Sequence, residues 1–247
     1  MKFSDIKTTK QLVSYLNSTS RQQKSFFHYT TLTNLNLIRS SKLFYLSSFY
    51  DTNDVYEAES IDDEIKKDTF IGCFSRNESE SVAMWYMYAN PHEEGIRIEI
   101  KPEYMKKWMD ELQKNRTAFI IENNIPENTV SLEKVRVHTI AYFEPMKKKF
   151  YWSNVQLFCN DHQALLDFNS DKITHGYIKH AAWEYEEEMR LSIKIKNDEN
   201  IKKIAIKVPD FVIDNMIIMT GPNFNHESSS NIRFEKSILF KKINLKK

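Results

Sequence analysis

The stretch WEYEEEMRLSI, residues 183–193, decides how the rest of the chain is read. If its end is extended, Glu186, Glu188 and Arg190 point to one face and Glu187, Met189 and Leu191 to the other, because side chains alternate along a strand. Facing water, Glu188 and Arg190 are a weak surface pair at the end of a helix running into a strand. Buried, two carboxylates and a guanidinium on one side of a strand form a chemical site. A carboxylate there can stabilise an oxocarbenium-like transition state or hold a ribose hydroxyl. An arginine can orient a carboxylate or hold a phosphate. Both readings stay open on spacing alone.

Working outward, the pattern predicts a helix over residues 8–20, with Leu12, Val13 and Leu16 at helical spacing. SFFHYT reads as a strand, LTNLNLIRS as a helix capped by Thr33, and KLFYLSS as a second strand. FYDTNDVYE is turn-like, since Asp51, Asn53 and Asp54 favour local side-chain bonds. TFIGCFS and GIRIEIK are strands, and SESVAMWYMYAN between them is a helix beginning at Ser79 or Ser81. EYMKKWMDELQ is a helix, TAFIIE a short strand and VRVHTIAYF one long strand. SNVQLFCNDHQALLDF and DKITHGYIKHAAWEY are expected to be helices. EMRLSIKI, KKIAIKV and NMIIMTG are strands. This mixture lacks a βαβα rhythm, which predicts an α+β fold in a single domain.

Composition narrows the function classes. Forty-one per cent of the 247 residues are hydrophobic, enough for a substantial core, and no apolar run approaches the ~18 residues of a membrane span. The polar start MKFSDIKTTKQ lacks the apolar stretch of a signal peptide, so a cytoplasmic protein with no membrane partner is expected. A net charge of +1 gives no indication of nucleic acid, and a local binding groove would betray itself by salt-dependent binding. There are only four glycines, each far from the next, so neither GxGxxG nor a P-loop can form. No HExxH, GxSxG or EF-hand loop occurs, and Cys73 and Cys159 have no zinc spacing and read as buried, inert thiols. No metal is expected.

Three other places could carry chemistry. In SVAMWYMYANPHEEG, residues 81–95, Trp85 and Tyr88 are i, i+3 neighbours. They are either core packing or an aromatic wall that stacks a base or nicotinamide, with His92 in the loop beyond. Asn53, Asp54 and Glu57 form an Asx-type turn or contact a substrate. In SFFHYTTL, residues 25–32, His28 is a core histidine or the start of an active site.

Taken in order, SFFHYTTLTNLNLIRSSKLFYLSSFYDTNDVYE, IGCFSRNESESVAMWYMYANPHEEGIRIEI, WEYEEEMRLSI and IIMTGPNF resemble the bacterial family of uncharacterised domains DUF2971, over roughly residues 25–225. The MWxxYA and WxxExExR stretches are its most specific parts. Val55 stands where the family commonly has proline after Asn-Asp, and Glu94 where a lysine is common before Gly95.

More remotely, the FHYT opening and the late ExE are similar to ADP-ribosyltransferase-like domains. That resemblance implies an ADP-ribosyltransferase-like mixed sheet and an enzyme using NAD as substrate, for ADP-ribose transfer or NAD hydrolysis. Together the two resemblances imply that the domain runs over 25–247, with a mixed sheet and surrounding helices, after a helical extension at 1–24. Glu188 would stabilise the ribosyl oxocarbenium, with Glu186 its partner. His28 and Tyr29 would position NAD, Trp85 and Tyr88 would flank nicotinamide, and Arg190 would hold the cofactor. Asn53, Asp54, Glu57 and His92 would touch substrate. The alternative it implies is a catalytically degenerate sensor that binds a nucleotide or a protein in phage defence. A toxin or phage-defence role, with a macromolecular acceptor, follows from the family association and not from the residues.

Overall fold

The computed structural model describes residues 6, 8–51, 54, 57, 61–144, 149–152, 155–158, 175–196, 201–225 and 235–236. The chain forms two compact units. The first comprises Met1–Gln23, Tyr45–Cys73 and Leu112–Ile206, the second Lys24–Phe44, Phe74–Glu111 and Lys207–Lys247.

The first unit is built on a closed ring of six strands. Numbering strands in chain order, these are β2 (Leu43–Ser48), β3 (Thr69–Ser75), β5 (Thr117–Glu122), β6 (Ile125–Thr139), β11 (Glu188–Ile195) and β12 (Lys203–Lys207), of which β2, β3 and β12 lie only partly in this unit. Their order is β11-β6-β5-β12-β2-β3, and β3 pairs back onto β11. Closure leaves no unpaired edge in the ring. Alternation along β11 is clean. Met189, Leu191, Ile193 and Ile195 are fully buried on one side, while Glu188, Arg190, Ser192 and Lys194 occupy the other.

The same unit holds a four-stranded sheet in the order β10-β7-β8-β9, made of β7 (Ala141–Glu144), β8 (Lys149–Trp152), β9 (Val155–Phe158) and β10 (Ile178–His180). VRVHTIAYF is therefore not one strand. Up to Thr139 it pairs with β11, and from Ala141 it runs parallel to β10. The exchange happens at Ile140, whose N–H donates to the Glu188 carbonyl (3.1 Å), while the next N–H, of Ala141, donates to the Tyr177 carbonyl (2.9 Å).

Two expected helices are corrected here. Val155–Phe158, inside SNVQLFCNDHQALLDF, is a strand paired with β8, and the remainder of that segment, Cys159 included, lies outside the described residues. In DKITHGYIKHAAWEY, Ile178–His180 is a strand and Ala181–Glu186 a 3-10 turn. Tertiary pairing with β7 and burial of Ile178 override the helical spacing. The N-terminal helix, Thr9–Thr19, forms as expected, held by a capping box of Thr8 and Gln11. It buries Leu12, Val13 and Leu16 against Ala141, Phe143 and Tyr177.

The second unit is organised around β4 (Gly95–Ile100), with β1 (Phe26–Thr31) antiparallel on one side and β13 (Ile217–Thr220) antiparallel on the other. The helix Leu32–Ser41 is capped by Thr31, not Thr33; the Thr31 hydroxyl accepts from Asn34 N–H. Thr33 lies two positions later, inside the helix, and its hydroxyl donates to Glu94 instead (2.5 Å). The helix Val82–Tyr88 begins at Ser81, as one of the two sequence readings has it. Much of the helix Pro102–Asn115 also belongs to this unit, and its Trp108 indole donates to the Lys207 carbonyl (2.8 Å). No helix among the described residues is long and apolar enough to cross a membrane.

Candidate functional site

The charged side of β11 is buried. Glu188 is 2% exposed and Arg190 1%. Arg190 is gripped on both edges of its guanidinium. Its Nε and Nη2 donate to the two oxygens of Glu188 (2.7 and 3.0 Å), and its Nη1 and Nη2 donate to the two oxygens of Glu57 (2.5 and 3.2 Å). Nη1 also donates to the Gly176 carbonyl (3.2 Å), so all five donors are taken. The Phe49 ring lies 5.3 Å from the guanidinium carbon.

Lys179, on β10, is the second cation of the cluster. Its ammonium bonds Glu186 (2.7 Å), lies 3.6 Å from Glu188 Oε2, and sits 4.7 Å from the Trp183 ring centre. The chain reaches this geometry through a sharp turn. Glu187 adopts a left-handed backbone (φ 41°) between the 3-10 turn and β11. Glu186 and Glu188 thus both join the cluster although only Glu188 is in the strand. The Glu188 N–H donates to the Tyr142 hydroxyl (2.7 Å), which anchors the start of β11.

Burial alone would raise the Glu188 pKa, but Arg190 and Lys179 outweigh it and bring it down to about 2. For Glu57 burial wins over the same arginine, and its pKa is raised. Burial disfavours the charged Arg190, yet Glu188 and Glu57 hold it firmly protonated. Lys179 is also burdened by burial, and Glu188 and Glu186 more than restore its charge. Cys73, on β3, shares a hydrogen bond with Glu188. The residue is reached by solvent, but its sulfur is poorly solvated; that and the Glu188 charge raise the thiol pKa well above its ordinary value.

Several residues singled out from separate stretches of sequence therefore meet: Glu57, Glu186, Glu188 and Arg190. Asp54 is buried as well, and its carboxylate accepts from the His180 N–H (2.9 Å). Asn53 lies outside the described residues. Lys179, Cys73 and Tyr142 are members that sequence reasoning missed. The lysine sits in a segment whose spacing predicts a helix, which hides its direction, and Cys73, which the sequence presents as a buried, inert thiol, is instead exposed and bonds Glu188.

The remaining candidates lie in the second unit. His28 is half-buried in an aromatic cluster, its ring centre 5.2 Å from Phe44 and 5.6 Å from Phe74. Tyr29 meets Trp85 edge-on at 4.9 Å. Trp85 is 3% exposed, and its indole donates to Glu80 (3.1 Å). A methyl added at Gly221 would come within 3.1 Å of the Trp85 ring, so backbone closes directly over it. Tyr88 is half-buried. The exposed aromatic of that helix is Tyr86, whose ring lies 4.8 Å from His92. His92 itself bonds the Ala89 carbonyl through Nδ1 (3.2 Å). Among the described residues no cluster of three or more metal-ligating side chains occurs.

Residues 84–191 match the family model DUF2971, described as a protein of unknown function. The matched stretch contains MWxxYA, Lys179, Glu186, Glu188 and Arg190, while Asp54, Glu57 and Cys73 lie before it. No curated protein and no solved structure matches the chain.

Proposed function

We propose that this chain is a nucleotide-binding module, the sensor alternative that its resemblances imply, with NAD or ADP-ribose as the ligand class and phage defence as the setting. The observation that carries this reading is the saturation of the acidic cluster. Both Glu188 oxygens and all five Arg190 donors are engaged within the protein. A carboxylate that must face a developing ribosyl cation needs an open lone pair aimed at substrate. Glu188 instead serves as a brace that joins β11 to Glu57 through Arg190, which both carboxylates grip, and to Lys179 through its own charge.

A second reading has one specific observation in its favour. Cys73 is reached by solvent and bonds Glu188, so the Glu188 carboxylate has a neighbour at the protein surface. On that reading the chain is an NAD-using ADP-ribosyltransferase or NAD glycohydrolase. The nicotinamide–ribose bond breaks, positive charge develops on the ribose, and Glu188 opposes it with Glu186 beside it.

One experiment separates the two. NAD and ADP-ribose are titrated calorimetrically into the protein, and nicotinamide release is followed in parallel for the parent and Glu188→Gln, with thermal melts to show that the variant is folded. Nucleotide binding without nicotinamide release is expected. Release by the parent that is lost in the folded variant establishes the enzyme reading. Absence of binding and of release overturns both.

A further inference from the structure

Beside the Arg190 cluster, within the first unit, lies a cavity of about 310 Å³. Its floor is the polar face of two paired strands. On β6 and β11, His138 stands opposite Arg190, Arg136 opposite Ser192, and Lys134 opposite Lys194. Arg136, Lys134 and Lys194 all line the space, and no carboxylate does. Phe49 and Tyr177 form part of the walls.

This arrangement is costly for the empty protein. Like charges directly opposite each other on neighbouring strands destabilise a sheet. Lys134 faces Lys194 with Arg136 next to it, and among the described residues neither Lys134 nor Arg136 has an ion-pair partner. Lys194 has only long contacts to Asp68 and Glu133, 3.8 Å each. The contrast with Arg190 one register step away is sharp: there every donor has an acceptor. His138 adds no positive charge, since burial and the Arg190 charge hold its pKa at about 3. Its Nε2 pairs with the Ser192 hydroxyl (2.9 Å), and its ring lies tilted against Tyr177 with centres 4.0 Å apart. The cavity thus gathers two cations without an ion-pair partner among the described residues, Lys134 and Arg136, and a third, Lys194, held only by two long contacts, over a polar floor with aromatic walls, at the lower end of the ~300–1,000 Å³ typical of small-molecule sites.

We propose that this cavity binds a small phosphate-bearing ligand, with the Arg136 fork holding the phosphate and Lys134 and Lys194 flanking it. The proposal rests on the nucleotide-binding reading and says where the phosphate of that nucleotide goes. A guanidinium matches two phosphate oxygens at once, and two mobile ammonium groups complete the charge balance.

The test uses pyrophosphate, AMP, adenosine and NAD as calorimetric probes against the parent, Arg136→Gln and the Lys134→Gln/Lys194→Gln double variant. AMP and pyrophosphate are expected to bind, with adenosine at least about tenfold weaker, a factor that corresponds to about 1.4 kcal/mol. Each variant is expected to weaken both phosphate ligands by about tenfold or more. With the repulsion removed, the ligand-free variants are expected to melt at or above the parent temperature, which also shows that they fold. Equal phosphate affinity in parent and variants overturns the site, as does absence of any phosphate binding. If pyrophosphate binds in an Arg136-dependent way but neither AMP nor NAD binds, the site stands and the nucleotide reading falls. If NAD binds but is indifferent to Arg136→Gln, the nucleotide reading stands and this site falls.

Discussion

Glu57 and Arg190, 133 residues apart in the chain, are joined by two hydrogen bonds through both oxygens of the carboxylate, and neither side chain is more than 1% exposed. A buried pair of this kind matters less for what it adds than for what its loss leaves behind. Glu57→Ala strands the Arg190 cation with one carboxylate too few, and should cost about 3–5 kcal/mol in urea denaturation. Glu57→Gln keeps one acceptor and should cost less. Equal, small effects from both would show that the pair is not a structural brace.

The cluster and its neighbour also set the acid sensitivity of the protein. His138 is held neutral, with a pKa of about 3 against an ordinary 6.5, so the unfolded chain takes up its proton first. Stability contributed by the neutral imidazole is complete above about 6.5 and is lost progressively as pH falls toward 3. Glu188 acts in the same sense at lower pH. Its folded value of about 2 lies below the usual 4.5, so its contribution is lost as pH falls from about 4.5 toward 2. Glu57, raised by burial, works in the opposite direction. Denaturation free energy measured between pH 7 and 5 should therefore decline in the parent and flatten in His138→Asn (an interval inside the His138 window). A parallel decline in both proteins would remove His138 as the cause.

Gly176 should not tolerate a side chain. Its φ is +78°, and a Cβ there would lie 2.8 Å from the Phe49 ring. Gly176→Ala is expected to lose about 1–3 kcal/mol and to disturb the carbonyl that accepts from Arg190. Thermal melting against a control such as Lys107→Ala, exposed on the helix Pro102–Asn115, would measure it.

Cys73 should alkylate slowly although solvent reaches it. The nucleophile is the thiolate, and the raised pKa keeps the sulfur protonated at neutral pH. Peptide mapping after iodoacetamide treatment should show slower modification of Cys73 than of free glutathione, accelerating only at strongly alkaline pH. Fast labelling at pH 7 would contradict the hydrogen bond to Glu188.

The helix start is a smaller test. Thr31→Ala should cost about 1 kcal/mol, because its hydroxyl caps the Asn34 N–H. Thr33→Ala should change stability by less than about half of that, since its exposed contact with Glu94 is a surface one.

Strand periodicity made much of the fold legible. GIRIEIK and EMRLSIKI alternate apolar and polar positions, SFFHYT is rich in aromatics and threonine, and all three are strands where expected. The failures have a common cause. DKITHGYIKH and the first part of SNVQLF carry helical spacing, but their backbone pairs with strands far along the chain, which local pattern cannot reveal. The site divides in the same way. Glu186, Glu188 and Arg190 could be read from spacing in one segment. That Glu57 reaches the same guanidinium depends on a long-range fold, and Lys179 was hidden by the wrong element type. Thr31 and Thr33 differ by two positions, and only the backbone geometry decides which one caps.

The closed ring of strands has a consequence for the order of events during synthesis. Its stretches of chain, 45–73 and 112–206, are interrupted by residues of the other unit, and its closing strand pairs Glu188–Ile195 with Thr69–Ser75. A ribosome making this protein from its N-terminus must release β11 before the ring can close on β3. Until then the early strands keep open edges, and long-range closure is slow. A nascent chain stalled before residue 188 is therefore the aggregation-prone species, and the molecule that chaperones would meet.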